Sequence, residues 1–217
     1  AAIMAFVSSY AYNVTSEYAA STAYQGIFQN LSQENISLLT ADPRIESVGV
    51  YQSVGMTERE NGITMGIVCS DEATMRLSNI KLIKGCMPQA ANELLVEKGY
   101  IDALNLKADV GDTISVHYRN QASRQLETVD FQITGFIQTT AENDSNRVAY
   151  NAIVSQSFVQ ENAALAAGPV AAMISVRNTA KYTNQELKEL VRAIGLDCGI
   201  STDNIQINNL YIDSNNM

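Results

Sequence analysis

Between Ile80 and Ile137 the chain alternates short apolar bursts with turn residues, and the spacing of each burst predicts an element. Ile80-Lys81-Leu82-Ile83 reads as a strand closed by Gly85 and Pro88, since glycine permits positive φ and proline withdraws a backbone donor. Glu93-Leu94-Leu95-Val96 is too short for a helix with its own apolar face and suits a buried strand. From Lys98 to Leu106, the positions of Ile101, Leu104 and, less regularly, Ala103 and Leu106 predict a short helix. Val110-Gly111-Asp112 then turns the chain into 113–118, where Ile114, Val116 and Tyr118 alternate with Thr113, Ser115 and His117. Val129, Phe131 and Ile133 alternate with Asp130, Gln132 and Thr134 in a second half-buried strand. The polar stretch 119–127 between these strands is a long hairpin or an excursion. The segment is a small β-rich unit with one helix.

The flanks echo each other. Residues 23–29 read as a strand, Ser32 opens a helix carrying Ile36 and Leu39, Pro43 stops it, and 45–51 reads as another strand. Near the other end 171–176 is strand-like. Thr183 with Glu186 three residues on forms a capping box, in which two orphan backbone donors are satisfied reciprocally. Leu187, Leu190, Val191 and Ile194 share one helical face, and Gly195 is expected to end the run. Ile205, Ile207 and Leu210-Tyr211-Ile212 supply a final strand candidate. Each flank is therefore strand-helix-strand, a unit that buries one helix face against a sheet.

The ordered set Gly85, Pro88, Asn92, Glu93, Leu106, Val110, Gly111, Asp112, Ile114, Phe131, Ile133, Gly135 and Ile137 resembles the extracytoplasmic core domain of MacB/FtsX-type ABC transporter permeases. Two departures are Cys86, where that family often has arginine, and Asn105, where it often has glycine. The run covers 58 of 217 residues, and its specificity lies in the order of its pieces. The resemblance implies an α+β fold: a discontinuous strand-helix-strand, porter-like subdomain over 1–60 and 146–217, with an inserted β-rich, sabre-like subdomain over 61–145. It further implies flanking membrane helices, a cytoplasmic ATP-binding subunit or domain, a second permease copy and an extracytoplasmic location. An extracellular peptide, lipoprotein or cell-wall component is then the external partner.

Composition narrows the alternatives. With 46% hydrophobic and 17% charged residues the chain buries a real core, and no stretch reaches the roughly 20 apolar residues of a membrane span. A net charge of −9 opposes nucleic acid or an anionic lipid surface as a partner of the whole chain. The apolar opening Ala1-Ala2-Ile3-Met4-Ala5-Phe6-Val7 lacks the charged start of a signal peptide. It reads as a buried helix start or, given the resemblance, as the last turns of a membrane helix. Tyr10, Tyr12, Tyr18 and Tyr24 are candidates for a partner surface or for the core. Cys69, Cys86 and Cys198 fit no zinc or redox spacing; a disulfide from Cys69 to Cys86 is a minor alternative to small buried hydrophobes. The Asn-x-Ser/Thr triplets at Asn13, Asn30, Asn35 and Asn143 carry no weight in so Asn- and Ser-rich a chain.

Candidate chemistry is sparse. The one histidine, His117, sits on the polar side of its strand and is expected to face solvent. No phosphate-cradling glycine loop occurs, so a nucleotide would be held by another subunit. Residues 142–146 have oxygen ligands but lack the glycine turn and distal glutamate of a calcium loop. The sequence thus proposes no catalytic, metal or cofactor residue and no cofactor. The expected role is mechanical transmission, not enzymatic chemistry. A secreted carboxylate-dependent hydrolase and a free-standing extracellular binding module are the alternatives.

Overall fold

The computed structural model describes residues 22–139, 148–163 and 168–214. The apolar opening 1–7, Tyr10, Tyr12, Tyr18, Asn13, Asn143 and the 142–146 connector lie outside the described residues. Among the described residues no helix is long and apolar enough to cross a membrane. The fold is α+β, in two compact units. The first takes its residues from 1–51, Asp71–Asn79 and 169–217, the second from Gln52–Ser70 and Ile80–Gly168.

The first unit contains β1 (Gly26–Phe28), α1 (Gln33–Ala41), the first half of β2 (Ile45–Thr57), α2 (Glu72–Leu77), β9 (Val170–Val176), α5 (Asn184–Asp197), β10 (Ile205–Ile207) and α6 (Asn209–Ser214). Strand β1 lies between β10 and β9, antiparallel to both, with Gly26 opposite Ile207 on one side and Ile174 on the other. Phe28, Leu39, Ala172, Ile174, Leu187, Val191 and Ile194 form the core beneath α1 and α5. Each large side chain buried there stabilises the fold by about 1.5–3 kcal/mol.

Both helices begin as their sequences predict. Thr183 and Glu186 make the expected capping box on α5, and Ser32 makes one with Asn35 on α1. The expected stop at Gly195 is corrected, because α5 runs on to Asp197. Gly199, at φ +73°, supplies the left-handed residue, and the amides of Gly199 and Ile200 return to the carbonyls of Leu196 and Gly195. That pair of bonds is a Schellman closure. Gly195 instead permits close packing: a Cβ there would lie 2.6 Å from Ile205 Cδ1 and 2.9 Å from Phe28 Cε1. The strand expected at 210–212 is also corrected. It is helix α6, started by Asn208, whose side-chain oxygen accepts from the Tyr211 amide and whose carbonyl accepts from Ile212. A three-residue apolar burst has no intrinsic period, and the capping residue decides.

Arg44 ties two helix ends together. Its guanidinium meets Asp42, just beyond α1, at 2.6 Å and Asp197, the last residue of α5, at 2.8 Å. Carboxylates at helix C-termini oppose the dipole, so the arginine offsets a local cost. The Arg44 guanidinium holds the Asp42 carboxyl below its ordinary range. A depressed carboxylate contributes stability that is present above its unfolded pKa of about 4 and lost as pH falls through the lower folded value. Arg44→Ala is therefore expected to cost about 1–2 kcal/mol at neutral pH and to flatten the loss of stability below pH about 4. Urea titrations of both chains across that range check it.

On the opposite face of this sheet Ile27, Tyr51 and Ala171 pack with Tyr24 and Met173. Burial pushes the Tyr24 phenol up to about 12, so this tyrosine serves the core. Helix α2 was not legible in the sequence; Asp71 caps it by accepting from the Thr74 amide at 2.7 Å.

The second unit contains the remainder of β2, β3 (Thr64–Ser70), β4 (Lys81–Gly85), β5 (Glu93–Glu97), α3 (Lys98–Ala103), β6 (Thr113–Asn120), β7 (Leu126–Gln138), β8 (Ala149–Val154) and α4 (Gln156–Glu161). Its strands run β3-β8-β5-β7-β4. Strand β3 is parallel to β8 and β5 is parallel to β7, while β5 and β8 are antiparallel, as are β4 and β7. Strands β6 and β7 form a hairpin in register from Thr113 opposite Gln132 to Arg119 opposite Leu126. Leu94, Leu95 and Val96 of β5 are fully buried, as their unbroken apolar run predicts. Val116, Tyr118, Phe131 and Ile133 face the core with Met65, Ile67 and Phe158.

Candidate functional site

The first feature is the junction between the first and last strands. Strands β1 and β10 are direct neighbours, and Asn208 just after β10 fastens the junction. Its amide donates to the Gln25 carbonyl, and its side-chain nitrogen donates to Thr22 Oγ1 at 3.0 Å and to the Tyr24 carbonyl at 3.2 Å. Gln25 in turn accepts the Val176 amide at 2.7 Å, which locks β9 to the same point. Removing the Asn208 side chain breaks its bonds to Thr22, Tyr24 and Tyr211. Asn208→Ala is expected to cost about 2 kcal/mol and to speed amide exchange at Tyr211, readable by hydrogen exchange.

The residues of the motif gather around β7. Gly85 sits at φ +82° against the Thr134 carbonyl, and the Cys86 amide donates to that same oxygen. The Glu93 carboxylate accepts the amides of Gln89 and Ala90 at 2.6 and 2.9 Å, closing the turn that contains buried Pro88. The Asn92 carbonyl accepts the Gln132 amide. The Gly111 amide donates to the Ile133 carbonyl, and the Ile133 amide to the Asp112 carbonyl, while Asp112 also accepts the Asp109 amide at 2.8 Å. These residues shape the turns that hold β4, β5 and β6 onto one strand. Their chemistry is that of backbone closure.

Beside them lies a buried carboxylate that the sequence reading did not single out. Glu97, at the end of β5, is 0% exposed. It accepts Thr139 Oγ1 at 2.8 Å, the Asn151 amide at 3.0 Å and Asn151 Nδ2 at 3.1 Å. Its bonds tie β5 to the end of β7 and to β8. An acidic residue ending an apolar run gives no hint of burial until the partners are in place.

At the sheet margin β4 pairs with β7 and, among the described residues, with no other strand, and all five of its residues are exposed. An open depression of about 510 Å³ adjoins it, lined by Ile83, Lys84, Lys98, Leu106, Lys107 and Phe136 among others. Lys98 Nζ stands 5.5 Å from the Phe136 ring centre. His117 is exposed, with Nδ1 2.8 Å from Thr128 Oγ1 across the hairpin, so it faces solvent as its position predicts. Ser115 and Asp130 make the same kind of cross-strand pair. None of the three cysteines forms a disulfide; Cys69 and Cys198 are buried and Cys86 is exposed. Burial raises the Cys198 thiol. Asn35 is used internally, donating to the Cys198 carbonyl at 2.8 Å.

No known protein-family profile matches the chain. No curated protein sequence matches it either. Among solved structures it is similar to the extracellular domain of the noncanonic ABC-type transporter YknZ from Gram-positive bacteria. That similarity has 12% identity over 84% of this chain and 98% of the other, with a TM-score of 0.49. It is also similar to a domain of a protein described as a permease from Porphyromonas gingivalis, with 12% identity over 84% of this chain and 77% of the other and a TM-score of 0.45.

Proposed function

We propose that this chain is the extracytoplasmic domain of a MacB/FtsX-like ABC transporter permease, and that it passes ATP-driven movement of membrane helices to a partner outside the membrane. The observation that carries the reading is the junction at Asn208. A unit that draws on both ends of the chain pairs its first strand, β1, directly with its last, β10, and Asn208 bonds the stretch just before β1 to the stretch just after β10. A domain held by two adjacent tethers turns relative motion of those tethers into its own displacement. A second support is the ordered motif around β7.

In this reading the porter-like part is 1–60 with 146–217 and the sabre-like part is 61–145; the two compact units differ from these bounds at 52–60, 71–79 and 146–168. A cytoplasmic ATP-binding subunit or domain supplies the energy through the membrane helices, and a second permease copy completes the transporter. The external partner is a peptide, a lipoprotein or a cell-wall component. The chain itself makes and breaks no covalent bond and needs no cofactor.

Sequencing the gene on both sides of this segment tests the reading. Apolar stretches of about 20 residues are expected on each flank, beside a gene carrying a Walker-type ATPase motif. A parent chain with no hydrophobic anchor on either side overturns it.

A further inference from the structure

The open margin of the second unit carries lysines and a register irregularity, which discourage pairing with a like strand, yet it leaves apolar side chains exposed between the charges. Four of the six lysines in the chain, Lys81, Lys84, Lys98 and Lys107, fall within 27 residues that fold around β4. The chain as a whole is acidic, with a net charge of −9. Lys84 pairs with Asp109 at 2.5 Å and Lys98 with Asp102, but both pairs are exposed. Such pairs contribute little and exchange readily for a better anion. Lys81 and Lys107 have no ion pair among the described residues and are exposed. Between the lysines, Leu82 and Ile83 are 42% and 48% exposed and Leu106 is 40% exposed. An edge strand presents an unpaired row of amides and carbonyls, which a further extended segment completes.

The same lysines decide which segment fits. A second copy of β4 laid against the first would bring like charges together and is disfavoured, and the irregularity between Leu82 and Lys84 breaks the regular register such pairing needs. An extended segment with alternating acidic and apolar side chains removes the charge obstacle, and it can pair with the residues of β4 on one side of the irregularity. Its backbone continues the sheet, its apolar side chains cover Leu82, Ile83 and Leu106, and its carboxylates replace Asp102 and Asp109 on the lysines. We propose that β4 is a strand-addition site for an extended, acidic and apolar peptide segment of a partner protein, with Lys81 and Lys107 selecting its charge. This does not rest on the membrane-tethered reading, because it concerns an edge of the second unit alone.

The test uses the 217-residue chain and two fluorescent nine-residue peptides, one alternating valine with glutamate and one alternating valine with lysine. Anisotropy gives the affinities, and amide chemical shifts locate the contact. The glutamate peptide is expected to bind about tenfold or more tighter than the lysine peptide, with shifts concentrated at 81–85 and 106–107. The double variant Lys81→Glu, Lys107→Glu, whose sites are exposed and whose fold circular dichroism verifies, is expected to reverse that preference. Binding without charge preference, shifts away from β4, or no measurable binding of the glutamate peptide overturns the proposal. Self-association with shifts at β4, or capture by phosphatidylglycerol vesicles in place of the peptide, overturns it as well.

Discussion

Glu97→Leu is expected to destabilise the second unit by roughly 3–5 kcal/mol. The leucine would occupy the same space, but the Asn151 amide, Asn151 Nδ2 and Thr139 Oγ1 would each lose a buried acceptor. Unsatisfied buried donors cost about 1–3 kcal/mol each, and the new apolar burial recovers only part of that. Glu97→Gln keeps one acceptor oxygen and the shape, and is expected to cost about half as much. Urea unfolding followed by circular dichroism measures both, and amide exchange at Asn151 reports whether the loss is local. Near-equal midpoints for the parent chain and Glu97→Leu would show that the carboxylate does not hold β5, β7 and β8 together.

The second large effect is at Gly85. A Cβ on this residue would lie 2.0 Å from the Thr134 carbonyl oxygen and 2.6 Å from Gly135 Cα. Both are backbone atoms, so no side-chain rotation relieves the clash. The φ of +82° adds about 1–2 kcal/mol of strain for any L side chain. Gly85→Ala is expected to cost more than about 3 kcal/mol in total, because β4 must detach from β7 or β7 must shift in the core. Gly111→Ala supplies the contrast. Its φ is +98°, yet nothing lies within 4 Å of the added carbon, so about 1–2 kcal/mol is expected. Thermal melts of the two variants separate collision from strain. Similar losses would show that Gly85 is required for its dihedral alone.

The sequence was most informative where a signal was local. Leu94 to Val96 formed an unbroken apolar run and is a fully buried strand, and Thr183 with Glu186 starts α5 where the capping box places it. The alternation of Val116 and Tyr118 against His117 put the histidine outside. Signals failed where tertiary contact decides. Gly195 reads as a helix stop, yet it is an interior residue kept small by Ile205 and Phe28. Leu210 to Ile212 reads as a strand until Asn208 is seen to cap a helix. Strands β3 and β8 escaped notice because Gly66 interrupts the apolar run from Met65 to Cys69 and Asn151 interrupts the run from Tyr150 to Val154, although Asn61-Gly62 marks the turn before β3.

The same division holds for function. The motif from Gly85 to Ile137 was visible as an ordered set, and the structure gives its members a shared physical task around β7. The Asn208 junction was not legible, because its partners Thr22 and Tyr24 are more than 180 residues away. Glu97 was passed over for a related reason. Its acceptor role depends on Asn151 and Thr139, which belong to other strands. The lysines around β4 were counted in the net charge, but their convergence on one open edge needed the strand order.

The most direct test of the proposed force transmission is a distance measurement in membranes containing the full-length parent chain together with the ATPase that the proposal assigns to it. Spin labels are attached at Ser37→Cys in the first unit and Ala122→Cys in the second, both exposed, in a Cys86→Ser background that removes the exposed thiol. Pulsed electron resonance then gives the label separation with and without ATP. A nucleotide-dependent change that disappears with a hydrolysis-deficient ATPase is the predicted result. Identical distance distributions in every nucleotide state, in a transporter shown to hydrolyse ATP, would contradict it.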